Sequence, residues 1–360
     1  MVRITTNGTL FNYRSSLMKN TNRLNDSMMK VMSGRNFSTY AADPAGATRA
    51  FRVHSSLNAV RTHADNNQTA LSKFETAWNA VEGTLDGLAD KLGLVPALSG
   101  LNGTNLENLD TQAQVLRSGA EGVIQSMNSK YGDDYLFAGA DNRKPPFGME
   151  DGFVTYRGIR VDDPGTLAQE NTLNLRDADG NLLTNEEVLR QWAEADPLYV
   201  DVGLGFELDD QGKVLPSSAF DAAISGIDLL GYGVDADGDP RNLASVMLRL
   251  ADAFDACASA GGTPSQAQLE EAGRLMEKLN GSRDAMIDAH AQLDAKARFL
   301  NNNDAQLKSG FDALNAERAG IEDADPADAI MELVWAQTCY NAALQVGAQV
   351  VPQSLMDYLN

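Results

Sequence analysis

The chain has 360 residues, a formal charge of −21 and 43% hydrophobic residues, with a sequence pI near 4.4. This acidic balance argues against a nucleic-acid backbone or an anionic membrane surface as the main partner. The hydrophobic content is enough for cores of ordinary size, and the sequence contains no run of 18 apolar residues that could span a membrane.

Near the N-terminus, apolar pairs recur every seven residues, beginning with Leu10/Phe11 and Leu17/Met18. A seven-residue repeat keeps one side of a helix toward a partner helix. The pattern stops at Ser33-Gly34, where glycine is typical of a helix C-terminus. The sequence therefore predicts a first helix whose assembly face, called the terminal seam below, contains Leu10, Phe11, Leu17, Met18, Leu24 and Val31.

A second helix is predicted to begin at Asp43-Pro44, an N-cap aspartate followed by the residue best tolerated at the first helical position. From Val53 to Leu92, apolar residues recur in alternating steps of four and three, and eleven of the twelve positions are apolar. This period indicates a long helix that packs along a partner. A turn rich in glycine and asparagine, 95–106, then precedes a third helix that starts at Leu109.

The texture changes between 138 and 242. Asp151-Gly152 and Asp179-Gly180 are turn signals, and short alternating runs occupy Phe153–Tyr156 and Val200–Leu208. These features are typical of β-hairpins. We therefore predict a small β-containing domain here, interrupted by one short helix over 186–195.

After residue 242 the helical pattern returns. A four-three repeat runs from Leu269 to Ile321 with twelve of sixteen positions apolar, which predicts a helix of roughly 80 Å at about 1.5 Å per residue. Asp325-Pro326 repeats the cap seen at Asp43-Pro44 and predicts a last helix. The seam of this last helix is predicted to contain Ile330, Val334, Leu344, Val351, Leu355 and Tyr358.

The charges of the two ends predict how they pair. Residues 1–63 contain nine Lys and Arg against two Asp, while the chain from Glu322 onward contains six acidic residues and no basic one. Opposite charges beside an apolar seam favour pairing of the first helix with the last. The predicted fold is mainly α, with long antiparallel, coiled-coil-like rods formed by both termini and a small β-containing domain inserted in the middle. The predicted divisions are a terminal helical domain (1–42 and 322–360), a rod domain (43–137 and 243–321) and an insert (138–242).

Chemistry-bearing motifs are few. The three histidines lack the spacing of a metal site or a catalytic pair, and two cysteines, Cys257 and Cys339, are interpreted as buried free thiols. The acidic runs 177–181 and 235–239 place glycine fourth, unlike an EF-hand loop, and are interpreted as turns. We predict no catalytic, metal or cofactor-binding residue. An enzyme housed in the insert is the alternative, and paired carboxylates in a pocket of the insert would support it.

Several motifs resemble the bacterial flagellin family. The N-terminal Arg3-Ile4-Thr5-Thr6-Asn7 and the cap at Asp43 and Pro44 fit the family as a whole, and the C-terminal run 351–359 is similar to the ending of its hook-associated members. A sequence motif in the middle of the chain also resembles the corresponding motif of those hook-associated members, which join the flagellar hook to the filament. Its motif residues are Tyr135, Leu136, Phe137, Gly139, Pro146 and Phe147.

The resemblance implies a structural subunit, not an enzyme. It implies a homo-oligomeric ring that contacts hook-associated protein 1 and flagellin, and a cytoplasmic chaperone that holds the C-terminal helix before export. It also implies an extracellular location on the flagellum, reached through the flagellar type III apparatus without a cleaved signal peptide. Two alternatives remain: flagellin itself, the bulk subunit of the filament, and an intracellular helical scaffold.

Overall fold

A computed structural model of the chain describes residues 6–92, 109–177, 179–194, 196–259 and 264–350. These residues form two compact units. One unit contains the described residues up to Thr62 and from Leu307 onward, and the other runs from His63 to Gln306. The long helices are α1 (Thr6–Ser33), α2 (Pro44–Leu92), α3 (Leu109–Met127), α7 (Leu243–Ala258), α8 (Gln266–Glu322) and α9 (Pro326–Val350); between α3 and α7 lie the short α4 (Pro164–Leu167), α5 (Asn185–Glu194) and α6 (Gly226–Leu230).

Local sequence rules place the ends of three long helices as predicted. At the start of α2 the Asp43 carboxylate accepts a hydrogen bond from the Gly46 N–H at 2.9 Å. At the start of α9 the Asp325 carboxylate accepts one from the Ala327 N–H at 2.8 Å. Gly34 follows α1 with a φ of +67°, a conformation that glycine adopts without strain.

The predicted packing of α2 with α8 is confirmed, although Phe311 of the predicted α8 row is 39% exposed. In the second unit the two helices pack together, since the Trp78 ring stacks on His290 at a centroid distance of 4.7 Å. The Asn67 side chain, the polar member of the α2 row, donates to the Leu300 carbonyl at 2.9 Å and is fully buried. Other buried members of the predicted rows are Val53, Leu57, Leu71, Phe74, Val81 and Leu88 on α2, and Ala272, Leu279, Met286, Leu293, Ala297 and Leu300 on α8.

The core of the second unit joins helices and sheet. Helix α3 packs along α7, and the side chains of Leu116, Met127 and Phe254 are buried there. The same apolar cluster includes Phe147 and Tyr156 from the insert. The inserted strands therefore share one core with the helices beside them.

The insert contains small antiparallel sheets, as predicted. Strands β3, β4 and β5 form one three-stranded sheet in that order, and β1 pairs with β2 and β6 with β7. In the larger sheet Phe147 lies opposite Tyr156, and their rings meet edge to face at 4.9 Å. The strands are β1 (Lys130–Tyr131), β2 (Asp134–Tyr135), β3 (Phe147–Glu150), β4 (Phe153–Tyr156), β5 (Ile159–Arg160), β6 (Tyr199–Val200) and β7 (Phe220–Asp221).

The predicted run Val200–Leu208 differs from the structure, because regular pairing stops at Val200. Gly203 and Gly205 have φ values of +90° and +84°, which a regular strand does not tolerate. Further along the chain, Leu208 forms an isolated antiparallel bridge with Val214. The predicted turn 95–106 lies outside the described residues.

Candidate assembly surface

The first unit is built on the pairing of α1 with α9. Lys30 Nζ, near the end of α1, lies 3.0 Å from Glu332 Oε2, near the start of α9. At the other end of the pair, the ring of Tyr13 covers Gly347 so closely that a Cβ there would overlap it. The two helices are therefore antiparallel, and the pairing predicted from the opposite charges of the chain ends is confirmed.

The contact between α1 and α9 uses part of the terminal seam. Leu17, Leu24 and Val31, spaced by seven residues, are half-buried on α1. The facing row of α9 combines small and large side chains: Ala329 and Ala336 are buried, and Leu333 and Tyr340 are half-buried. Side-chain size at a helix contact sets how closely the two backbones approach, so the small residues of this row allow the closest approach.

The other seam residues of the terminal helices are exposed in the single chain. Phe11 and Met18 on α1 are 73% and 68% exposed. On α9 the predicted row lies one position beyond the buried row, and its exposed members are Ile330, Val334 and Leu344. The side chain of Leu10 and the whole of Val351, Leu355 and Tyr358 lie outside the described residues. The role of the seam in assembly stays a prediction.

The repeat on α1 already pairs Met32 with Val31, but sequence reasoning missed other exposed apolar residues on the same two helices, among them Trp335. Met32 is 82% exposed and Trp335 is 70% exposed. Helix α9 has only two charged residues, Asp328 and Glu332, in 25 positions, and a helix that is apolar around much of its circumference needs more than one partner. That composition was the available signal. We call the exposed set the terminal apolar surface: Phe11, Met18, Met28, Met29, Met32, Ile330, Met331, Val334, Trp335, Leu344 and Val346.

The segments that connect the terminal pair to α2 and α8 are tied together. The Asn36 N–H donates to the Glu322 carbonyl at 2.7 Å, and the Asn36 side chain donates to the Asp323 carbonyl at 2.9 Å. The buried Glu322 carboxylate lies 2.7 Å from His54 Nε2 and 4.0 Å from Arg318. These contacts give a buried acid two basic neighbours and hold both connectors in place.

The mid-chain motif residues lie inside the second unit and not on the terminal apolar surface. Leu136 and Phe137 are fully buried. The Phe137 carbonyl accepts hydrogen bonds from the Gly226 N–H at 2.8 Å and the Tyr156 hydroxyl at 3.2 Å. Burial raises the pKa of Tyr156, which keeps its hydroxyl a donor. Tyr135, half-buried in β2, begins this motif.

The second half of the motif fixes the start of the insert. Gly139 has a φ of +67°, and a Cβ there would lie 2.8 Å from the Arg157 guanidinium, which pairs with Asp196 at 2.9 Å. The Pro146 carbonyl accepts a hydrogen bond from the Arg157 N–H at 2.7 Å. Phe147 exchanges backbone hydrogen bonds with the Asn128 side chain at 3.0 and 2.9 Å. All of these motif positions have structural roles in the chain itself.

The acidic loop 235–239 is occupied by a lysine. The carboxylates of Asp235, Asp237 and Asp239 lie within 4.8 Å of one another, and Lys278 Nζ approaches them at 2.5, 2.9 and 2.6 Å. Burial disfavours the ammonium, but the three aspartates outweigh it and raise the pKa of Lys278. Burial also opposes ionisation of Asp239, yet Arg274 and Lys278 hold the pKa of that carboxyl below its usual range. A lysine fills the position that a metal ion would take.

The remaining candidate residues have structural neighbours. His63 Nε2 lies 3.3 Å from an Asp201 carboxylate oxygen, and His290 stacks on Trp78. Both cysteines are free thiols. Cys257 is buried, and this burial raises its pKa, while Cys339 is half-buried on α9. Among the described helices, none combines the length and apolar content needed to cross a membrane.

The fold and the terminal apolar surface define a class of protein: a structural subunit whose two chain ends form one helical pair, with a β-containing segment inserted between them. Two family models match the sequence. They are the bacterial flagellin N-terminal helical region over residues 4–142 and the bacterial flagellin C-terminal helical region over residues 276–359. Together they span more than half of the chain, which therefore belongs to the bacterial flagellin family and is a structural component of the bacterial flagellum.

Several solved structures match the chain at low sequence identity. A flagellar hook-associated protein from Vibrio parahaemolyticus has 12% identity and a TM-score of 0.54, and the match covers 78% of this chain and 100% of that one. Bacillus cereus FlgL matches at 14% identity, 74% and 99% coverage and a TM-score of 0.45. Flagellar hook-associated protein-3 of Legionella pneumophila matches at 14% identity, 74% and 96% coverage and a TM-score of 0.46. The first likeness supports the fold, and no curated protein matches the chain by sequence.

Proposed function

We propose that this chain forms the junction between the flagellar hook and the filament. The observation that carries the proposal is the terminal apolar surface, because large apolar side chains such as Met32 and Trp335 face solvent on the described part of the helical pair. Soluble monomers rarely expose contiguous apolar area unless it contacts a partner. Each such side chain contributes about 1.5–3 kcal/mol when it is fully buried.

The junction role, in preference to bulk filament, rests on the motif around Tyr135–Gly139 and Pro146-Phe147. Because it resembles the hook-associated members of the family, we infer a ring of identical chains that contacts hook-associated protein 1 on one side and flagellin on the other. We also propose export without a cleaved signal peptide, with a cytoplasmic chaperone on the C-terminal helix until the chain reaches the growing flagellum. The terminal seam and the three-part division into 1–42 with 322–360, 43–137 with 243–321, and 138–242 belong to the same proposal.

Deletion of the gene tests the junction role directly. A cell that lacks the junction has no acceptor for flagellin at the end of the hook, so flagellin should appear in the medium as monomer while hooks remain on the cell. Plasmid-borne wild-type chain should restore filaments, and the intact chain should be found in washed flagella. If deletion removes flagellin itself, the chain is the filament subunit, and if the chain stays in the cytoplasm, the assembly proposal fails.

A further inference from the structure

The hairpin that contains β6 and β7 ends in an exposed tip, residues 203–218, which we call the finger. At its base Val200 lies opposite Phe220. The finger begins at the positive-φ glycines Gly203 and Gly205 and closes through an antiparallel bridge between Leu208 and Val214. The finger is therefore a long hairpin loop with its own antiparallel bridge and not a simple two-residue turn.

One side of the finger is apolar and exposed. Leu204, Phe206 and Leu208 alternate along the chain and are 39%, 44% and 56% exposed. Alternate residues of an extended segment share one face, as Phe206 and Leu208 do on either side of Glu207, whereas the positive φ of Gly205 interrupts this alternation after Leu204. A single exposed leucine is ordinary on a protein surface, but two apolar side chains on one face with a third exposed leucine two residues away form a surface that fits a partner.

The backbone beside this row is also open. On this strand the hydrogen bonds to the opposite strand of the finger use the Glu207 carbonyl at 3.0 Å and the Asp209 N–H at 2.8 Å. Phe206 and Leu208 alternate with those residues, so their N–H and C=O groups are directed to the other side. Within the described part of the chain these groups have no hydrogen-bond partner. Such an edge can accept another strand.

Charge indicates which strand it accepts. The insert, 138–242, contains 21 acidic residues against 8 basic ones, and the finger itself contains Glu207, Asp209 and Asp210 against Lys213. Two inserts would therefore repel each other. A basic segment would be attracted, because complementary charges guide association and exclude wrong partners.

We propose that the open edge of the finger binds an extended segment of another protein in which apolar residues alternate with lysine or arginine. The segment adds as a strand to the edge at Phe206 and Leu208. Its apolar side chains pack beside Phe206 and Leu208, and its basic side chains lie on the opposite face, near Glu207. This interaction goes beyond the junction role and does not depend on it.

The probe is a fluorescein-labelled nine-residue peptide in which valine alternates with lysine, titrated with the purified full chain and followed by fluorescence anisotropy. We expect saturable binding that Phe206→Ser weakens at least tenfold. Leu173→Ser is the matched control, because Leu173 is 50% exposed in the same insert but outside the finger, and it should change binding less than twofold. A peptide that alternates valine with glutamate should bind at least tenfold more weakly.

Amide hydrogen exchange on the wild-type chain gives a second readout that needs no variant. The N–H of Leu208 should exchange fast in the free chain and slow at least tenfold when the valine–lysine peptide is bound. The proposal is overturned if the peptide does not bind saturably, if Phe206→Ser and Leu173→Ser behave alike, or if the glutamate peptide binds equally well. It is also overturned if the chain self-associates through the finger, because a second copy would then occupy the edge.

Discussion

Trp335→Ser removes a large apolar side chain of α9 that the single chain does not cover. The indole is 70% exposed, so of about 200 Å² of tryptophan surface, about 140 Å² is free for a neighbouring subunit. At about 25 cal/mol per Å² this area contributes about 3.5 kcal/mol when a neighbour buries it, or roughly a 300-fold change in association constant. The free energy of unfolding of the monomer should change by less than about 0.5 kcal/mol, as for other surface substitutions.

Two measurements separate these effects. The thermal midpoint of purified monomer reports folding, and the amount of chain in washed flagella of a complemented deletion strain reports assembly. Ile287→Ser is the control, since Ile287 is 45% exposed on α8, outside the terminal pair, and it should preserve both. Wild-type recovery of the Trp335→Ser chain in flagella would refute the assembly role of this residue, as would equal loss of both variants.

Four further outcomes follow from the geometry. Asn67→Ala should lower the free energy of unfolding by about 2–3 kcal/mol in a denaturant titration, because it removes a buried, hydrogen-bonded amide from the contact of α2 with α8; a loss below about 0.5 kcal/mol would contradict this. Gly226→Ala should lower the free energy of unfolding by about 1–3 kcal/mol, because its Cβ would lie 2.6 Å from a phenylalanine ring. The control Gly83→Ala has nothing within 4 Å of the added Cβ and should raise the free energy of unfolding by roughly 0.5–1 kcal/mol through α2. Lys278→Met should lower the free energy of unfolding at pH 7 by about 2 kcal/mol. Because the pKa of Asp239 is lowered in the folded chain, its contribution is present above about pH 4 and lost as pH falls through the lowered pKa, so the variant should lose less stability between pH 7 and pH 3 than the wild type; parallel pH profiles would refute the pairing. Limited proteolysis of the monomer should remove about forty residues from each end, because exposed terminal helices are the first segments to open, and full-length survival would show that the pair is stable without neighbours.

The sequence predicted the helices of the terminal pair but could not choose between their adjacent apolar rows. Leu17 and Met18 are adjacent in the chain, and each belongs to a row of apolar residues that recurs every seven positions. Periodicity alone does not say which of the two rows contacts α9. In the structure the row with Leu17 is half-buried and Met18 is exposed. On α9 the row that contacts α1 includes small residues such as Ala336, which a search for large apolar side chains does not find. Periodicity gives the spacing of a seam, whereas the sizes of both partners decide its angle.

Two further features could not be predicted from the sequence: the basic partners of the acidic loop 235–239, and the point at which the predicted strand 200–208 ends. Lys278 is 39 positions from Asp239, and no local spacing links the two residues. The alternation over Val200–Leu208 is real, but Gly203 and Gly205 adopt φ values that end the regular pairing. A glycine in the sequence permits this conformation but does not predict it, because glycine also occurs within strands.

The distribution of side-chain size on the terminal pair gives its own argument for assembly. In a self-sufficient helix pair the largest apolar side chains face the partner, because they release the most water there. Here Met331 and Trp335 on α9 face solvent, while the row toward α1 combines Leu333 and Tyr340 with the small residues Ala329, Ala336 and Gly347. The intrachain contact therefore leaves large apolar side chains of α9 available for contacts outside the chain. We therefore expect neighbouring subunits to stabilise the terminal helices, which should be most stable in the flagellum and least stable in the free chain.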